Sequence, residues 1–508
     1  IANNGGNYES IKPSWKYSTT TYEASPLGRK ASSTPTSWYA TSYTYGANVS
    51  GDNVKINGGT SSYAAGRLMK TTVTDPNGNK LITFTDRRGR KVLSRRTDAT
   101  DQVSKRLDTY YLYDRKNRLI KVLPPGTTTG HNGLIYTYLY DGEDRVLEKK
   151  IPGKDFIEYR YNDRDLLAAE QDGNLRADGK WFAYSYDAFG REKESGFYNS
   201  TPPGTITDLV PSEALTKTFY GTLSYEKDKV KTVETKILDG GSDWITSTNT
   251  YSTCGLMTSQ TGNNHLNLTA TETTANTYDG ADNLITSTYN HAGVSGITPI
   301  SSTYYYDFAG RNSGNYFQVG SGVNTELNSF VYDEKGNVVT KYQGGTAHSG
   351  ARAYLQKIDY DYLDNGMLRG INLGGLTGSE VGLPSDGNVA ITPNPADPGI
   401  NSPADDKDLF HLNLYRNFKP YTTGSGTAPE RYNGDISYVV SQVRGRKQMM
   451  FGVFYDEYDR MTDAKFYERN SAPLSNPVFS SAHRETVAYD DRGNITSLDR
   501  NGVEFNSG

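Results

Sequence analysis

A short unit recurs along this chain and limits what it can fold into more than any other feature. Tyr113-Asp114-Arg115-Lys116-Asn117-Arg118 returns as Tyr140-Asp141-Gly142-Glu143-Asp144-Arg145 and as Tyr186-Asp187-Ala188-Phe189-Gly190-Arg191. Further copies begin at Tyr278-Asp279, at Tyr306-Asp307 with Gly310-Arg311, and at Tyr332-Asp333 with Gly336-Asn337. Two more lie late in the chain, Tyr455-Asp456 with Asp459-Arg460 and Tyr489-Asp490 with Gly493-Asn494. Degenerate copies fill the gaps, among them Asp75 with Gly78-Asn79, Asp86 with Gly89-Arg90, Tyr161-Asn162, Tyr251 with Gly255, and Tyr362 with Gly366. From Tyr113 to Tyr140 is 27 residues, from Tyr278 to Tyr306 is 28 and from Tyr306 to Tyr332 is 26. Such a period marks stacked supersecondary units, each too small to bury its own apolar face.

The unit reads as a β-hairpin. Asp in the first turn position accepts backbone amides ahead of it, and Gly, Asn or Asp three residues later tolerates a left-handed backbone. Asp114, Asp141, Asp187, Asp307, Asp333, Asp456 and Asp490, with Gly190, Gly310, Gly336 and Gly493, are therefore assigned as structural turn residues. The flanks, such as Leu107 to Tyr113 and Leu119 to Leu123, are rich in aromatic and β-branched residues, as strands require. Leu166 to Gln171 is too short to stand as a helix, and little helix is predicted anywhere.

Composition fits repeats better than a layered core. Hydrophobic residues are 35% of the chain and 40 of the 508 residues are Tyr, which leaves few aliphatic side chains for a dry interior. With 12% aromatics and a net charge of 54 − 58 = -4, the chain is not of the disordered class. The prediction is an all-β fold of about 26 strands roughly 4.8 Å apart, forming one curved antiparallel sheet with a wet concave face. No apolar run is long enough for a membrane helix, and a pI near 6.0 argues against a nucleic-acid binder. The one cysteine, Cys254, permits neither an internal disulfide nor a Cys-based zinc site. The chain opens at Ile1, which reads as a processed or partial polypeptide.

Some dozen copies of the unit, together with Val122-Leu123-Pro124-Pro125-Gly126, Lys149-Lys150-Ile151-Pro152-Gly153, Asp408-Leu409-Phe410 and Tyr432-Asn433-Gly434-Asp435-Ile436, resemble bacterial RHS, or YD-repeat, proteins. The resemblance implies a hollow shell of β-hairpins around a variable carboxy-terminal toxin used in interbacterial competition. It further implies a secreted or cell-surface location. The implied partners are the remainder of the chain (core segment and toxin), an immunity protein and the secretion machinery, with no nucleic acid and no membrane insertion. On this resemblance the core segment and its self-cleavage site fall after Gly508, so no cleavage residue is assigned. The sequence departs from the family at Met367, which follows Gly366 where a tryptophan is expected, and near Val443, where another is missing.

Four regions follow. Residues 1 to 70 lack clear turns and read as an irregular leading β segment or plug. Residues 71 to 373 form a first repeat stretch with a break near 201 to 211 at Pro202-Pro203, 374 to 408 a Pro/Gly/Asp-rich loop, and 409 to 508 a second repeat stretch. In the loop, Asp397, Asp405, Asp406 and Asp408 lack the spacing of a calcium hand, and a solvated loop is preferred to a metal site. His131, His265, His291, His348, His411 and His483 are scattered and read as loop or sheet-surface residues. Gly344-Gly345 and Gly424-Ser425-Gly426 lack the lysine of a phosphate loop, and Cys254 has no basic neighbour to activate it. No enzyme, no cofactor and no metal is predicted, and the competing reading is a surface adhesion or glycan-binding repeat protein.

Overall fold

The computed structural model describes residues 18–35, 38–127, 133–237, 243–264, 267–291, 298–346, 354–372, 410–417, 428–443, 449–468 and 478–502. The predicted loop 374–408, His131, His265, His348 and Gly424-Ser425-Gly426 lie outside them. Thirty-two strands among the described residues form an antiparallel β-sheet, and the fold is all-β. Sequence neighbours are spatial neighbours. Leu107–Tyr113 pairs with Leu119–Leu123, Trp181–Tyr186 with Glu192–Tyr198, Ile300–Tyr306 with Asn312–Val319, and Met449–Tyr455 with Met461–Glu468.

Most of the repeat hairpins carry the same irregularity beside the turn, while the Asp75 hairpin pairs in straight register, Val73 with Leu81 and Thr74 with Lys80. Tyr306 pairs with Asn312 while Tyr305 pairs with Gly314, so Ser313 is an extra residue on the second strand. The same two-against-one count occurs at Tyr113, where Ile120 is extra, and at Tyr455, where Thr462 is extra. A bulge beside a turn sharpens the local twist of the strand pair.

The strand count exceeds the predicted one partly because the leading stretch is regular. Thr19–Tyr22, Lys30–Thr34 and Thr41–Ala47 pair in order and join Met69–Thr74 without any Tyr-Asp turn between them. The break at 201 to 211 leaves the ladder continuous, since Glu194 pairs with Lys217 across it. Its Ile206 and Leu209 instead fold onto the sheet and bury Trp181, Ala168, Ala169 and Ala183. Leu167–Gln171 is a strand, as its brevity suggested, but Gly173–Ala177 after it is an α-helix the sequence reading did not name. Asp172 caps it by accepting the Leu175 amide at 2.9 Å.

Apolar burial is local. One cluster joins Val54 and Leu68 to Ile82, Phe84, Val92 and Leu93, and another gathers Tyr438, Val440, Met450 and Tyr467 around Ala428. In each cluster a segment outside the repeat covers a patch of strands, which is how a chain poor in aliphatic residues excludes water where it can. The chain divides into two compact units, one of residues 1–132, 332–340 and 356–508, the other of 133–331 and 341–355.

Candidate functional site

The repeated turn is built identically in hairpin after hairpin. Asp114 accepts the amides of Lys116 and Arg118 through Oδ1, both at 2.9 Å, and the Arg118 Nε donates to Oδ2 at 2.6 Å. Asp141, Asp187, Asp307 and Asp456 repeat this with Arg145, Arg191, Arg311 and Arg460. At Asp333 and Asp490 an asparagine takes the arginine's place, Asn337 and Asn494 donating through Nδ2 at 2.8 and 3.0 Å. The fourth turn residue is left-handed throughout: Gly190, Gly310, Gly336 and Gly493 have φ between 76° and 91°, and Asn117, Asp144 and Asp459 adopt 71°, 68° and 62°. Loss of hydration pushes the Asp114 and Asp187 carboxyls up, but the amides and the guanidinium outweigh it and hold both below the usual carboxylate value.

The turn tyrosine contributes a hydrogen bond as well as a ring. Its hydroxyl donates to a backbone carbonyl at the start of the second strand of the preceding hairpin, as in Tyr113 to Lys91 at 3.1 Å, Tyr186 to Leu167 at 2.7 Å and Tyr306 to Leu284 at 3.1 Å. Tyr161, Tyr220, Tyr251, Tyr278, Tyr362 and Tyr489 do the same. The turn arginine of the earlier hairpin stacks on the next tyrosine ring, Arg191 lying 4.0 Å from the centroid of Tyr220 and Arg460 4.8 Å from that of Tyr489. Asp thus orients Arg, Arg covers Tyr, and Tyr ties its hairpin to the one before. The sequence showed the three residue types at their spacing but not this connection, whose acceptor is a carbonyl common to every residue.

Within the first unit the early and late hairpins meet. Asn79 donates through Nδ2 to Asp459 Oδ1 at 2.9 Å, the Tyr432 amide donates to Asn77 Oδ1 at 2.8 Å, and the Tyr458 hydroxyl donates to the Lys105 carbonyl at 2.9 Å. Lys105 pairs with Glu457, and Tyr39 meets Tyr432 edge-on at 4.5 Å. Arg431, almost wholly buried, donates to Asp459 and to Asp435 and lies 4.7 Å from the Tyr455 centroid. Burial and the facing Asp459 carboxylate push Asp75 up to about 6.

The described histidines, His291, His411 and His483, belong to no metal-holding group. His411 is buried rather than on the sheet surface, its Nδ1 2.9 Å from the Asn372 carbonyl, and His291 pairs with Glu272 at 2.7 Å. Among the described residues no group of three or more His, Cys, Asp and Glu is arranged to hold a metal. Cys254 is exposed in the turn closed by the Gly255 amide on the Ser252 carbonyl, and Gly344 lies within the strand Val338–Thr346 with φ 61°.

No family model and no curated protein matches the chain. The fold resembles that of TcdB2-TccC3. Crystal structures of TcdB2-TccC3-TEV, of TcdB2-TccC3 without its hypervariable C-terminal region, and of TcdB2-TccC3 superpose with TM-scores of 0.54, 0.55 and 0.54. Sequence identities are 14%, 12% and 13%, with 94%, 94% and 97% of this chain covered. The chain spans 22% to 25% of the length of those chains. At these identities the likeness is one of fold, an RHS-like antiparallel β-sheet.

Proposed function

We propose that this chain is a wall segment of an RHS-type shell that encloses a carboxy-terminal toxin and delivers it in interbacterial competition. On this reading it works outside the cell that makes it, secreted or at the surface, and carries out no catalysis itself. Its partners are the core segment and toxin of its own polypeptide, an immunity protein and the secretion machinery. The observation that carries the reading is the first unit's seam, where the Asp75 turn meets the Asp456 turn and Asn79 reaches Asp459, 380 residues away. The early and late hairpins of that unit meet at that sequence separation, and a wall that holds a cargo needs such contacts between distant hairpins. The TcdB2-TccC3 fold supports the same conclusion.

Limited proteolysis of the natural polypeptide containing this chain tests it. A protease-resistant wall with a segment that becomes cleavable only after the wall is unfolded is the expected result. A polypeptide with no protected segment would overturn it. The second reading, surface adhesion, draws on aromatic side chains exposed at turn tips, Phe189 and Phe308, the latter fully open to solvent. It requires glycan or cell binding that is lost when both are replaced by Ala.

A further inference from the structure

The chain carries a net charge of -4, yet two neighbouring turns in the first unit are strongly basic. The Asp86–Gly89 turn presents Arg87, Arg88 and Arg90, and the Asp114–Asn117 turn presents Arg115, Lys116 and Arg118. The two tips are joined, since Arg88 Nη1 and Arg90 Nη1 both donate to Asn117 Oδ1, at 2.9 and 3.1 Å. With Arg67, which comes in from another segment, the tips hold seven cations against Asp86 and Asp114, and 7 − 2 leaves +5. Neither carboxylate is available to an incoming cation. Asp86 accepts two backbone amides and Arg90, and Asp114 is held in the same way by Arg118.

Between Arg67 and the Asp86 turn lies a cleft of about 390 Å³, lined by Ile56, Tyr63, Arg67, Asp86, Arg87 and Arg88. The side chains of Arg67 and Arg87 have no partner among the described residues, whereas the arginine four residues after a turn aspartate, such as Arg90, Arg118 or Arg145, is bonded to that aspartate. Guanidinium forks match the oxygens of phosphate and sulfate. The opposite character comes from Ile56 and the half-buried ring of Tyr63, whose hydroxyl also has no partner among the described residues. The cleft has the size of a small-molecule site, with an apolar wall and a few convergent polar groups.

We propose that this cleft binds a sulfate or phosphate monoester carried on a sugar ring. Arg67 and Arg87 hold the ester oxygens, Arg88 adds a third positive charge, and the ring lies against Tyr63 and Ile56 with a hydroxyl reaching the Tyr63 oxygen. A bare inorganic anion uses only the guanidinium groups and a neutral sugar only the wall, so neither binds as well as the two joined. The site does not depend on whether the sheet encloses a cargo, and the two readings fail separately.

Isothermal titration of the chain with N-acetylglucosamine 6-sulfate, glucose 6-phosphate, inorganic sulfate and N-acetylglucosamine tests the proposal. At least one ester binds ten-fold or more tightly than inorganic sulfate, the neutral sugar does not bind, and raising the salt weakens the ester several-fold. R67A/R87A lowers ester affinity ten-fold or more, and Y63A several-fold. R115A changes it less than two-fold. The melting temperature of R67A/R87A stays at that of the wild type, because both side chains are exposed and unpaired. Equal weak binding of esters and inorganic sulfate, or an unchanged R67A/R87A, would overturn the site. So would binding seen only with phosphatidylserine vesicles and not with soluble esters, which would make the patch a membrane contact.

Discussion

At the scale of single residues the left-handed turn position separates backbone from side-chain effects. Gly310 has φ 76° and a Cβ placed there meets nothing within 4 Å, so the cost of a larger residue is conformational and not steric. Asn117 holds the equivalent place at φ 71°. Gly310→Val is expected to destabilise the chain by about 1 kcal/mol or more, and Gly310→Asn by clearly less, in chemical denaturation. Equal losses would mean that a tertiary contact, not the turn, governs that position. His411→Ala is expected to lower the melting temperature measurably, since it empties a buried site and removes the partner of the Asn372 carbonyl. Cys254→Ser, at an exposed thiol, should leave it unchanged.

At the scale of the hairpin the tyrosine hydroxyl is the coupling device. Tyr186→Phe keeps the ring and removes the 2.7 Å bond to the Leu167 carbonyl, a loss of about 1 kcal/mol for a bond of this kind. Its distinguishing effect is local. Hydrogen exchange is expected to speed up in Leu167–Gln171 and Trp181–Tyr186 while the strands Thr19–Tyr22 and Lys30–Thr34 keep their protection. Uniform acceleration would show that hairpins unfold together and that the bond couples nothing in particular.

At the scale of the whole molecule the carboxylates pull stability in opposite directions with pH. Turn aspartates such as Asp114 and Asp187 are held below their unfolded value, so their contribution is complete above about pH 4 and is lost on acidification below it. Asp75 is raised to about 6, so its ionisation costs stability: the contribution is complete below about pH 4 and is lost as pH rises through 6. The charged group facing it is Asp459, which is itself bonded to Arg431, the residue that also holds Asp435; Asp456 and Arg460 lie on the same late turn as Asp459. The melting temperature should therefore peak between about pH 4 and 6. Asp75→Asn, which resembles the protonated acid, should melt higher than wild type at pH 7.5 and no higher at pH 3. A variant that melts lower at both values would show that the ionised form stabilises the seam.

Much of this protein was legible in its sequence because its information is local. Asp at the head of a turn, a left-handed residue three places on and a basic or amide side chain after that act within five residues. Their repetition was enough to predict an all-β fold of stacked hairpins. What the sequence hid depends on register or on distance. The bulges beside turns and the carbonyls that turn tyrosines such as Tyr161 and Tyr220 find 15 and 28 residues upstream exist only once strands are paired. The strands before residue 70 carry no turn motif, and His411 is buried by neighbours from other strands. The meeting of Asn79 with Asp459, and the placing of Arg67 and Arg87 on one cleft, were decided by tertiary structure alone, because no local rule relates a turn to a segment far from it in sequence.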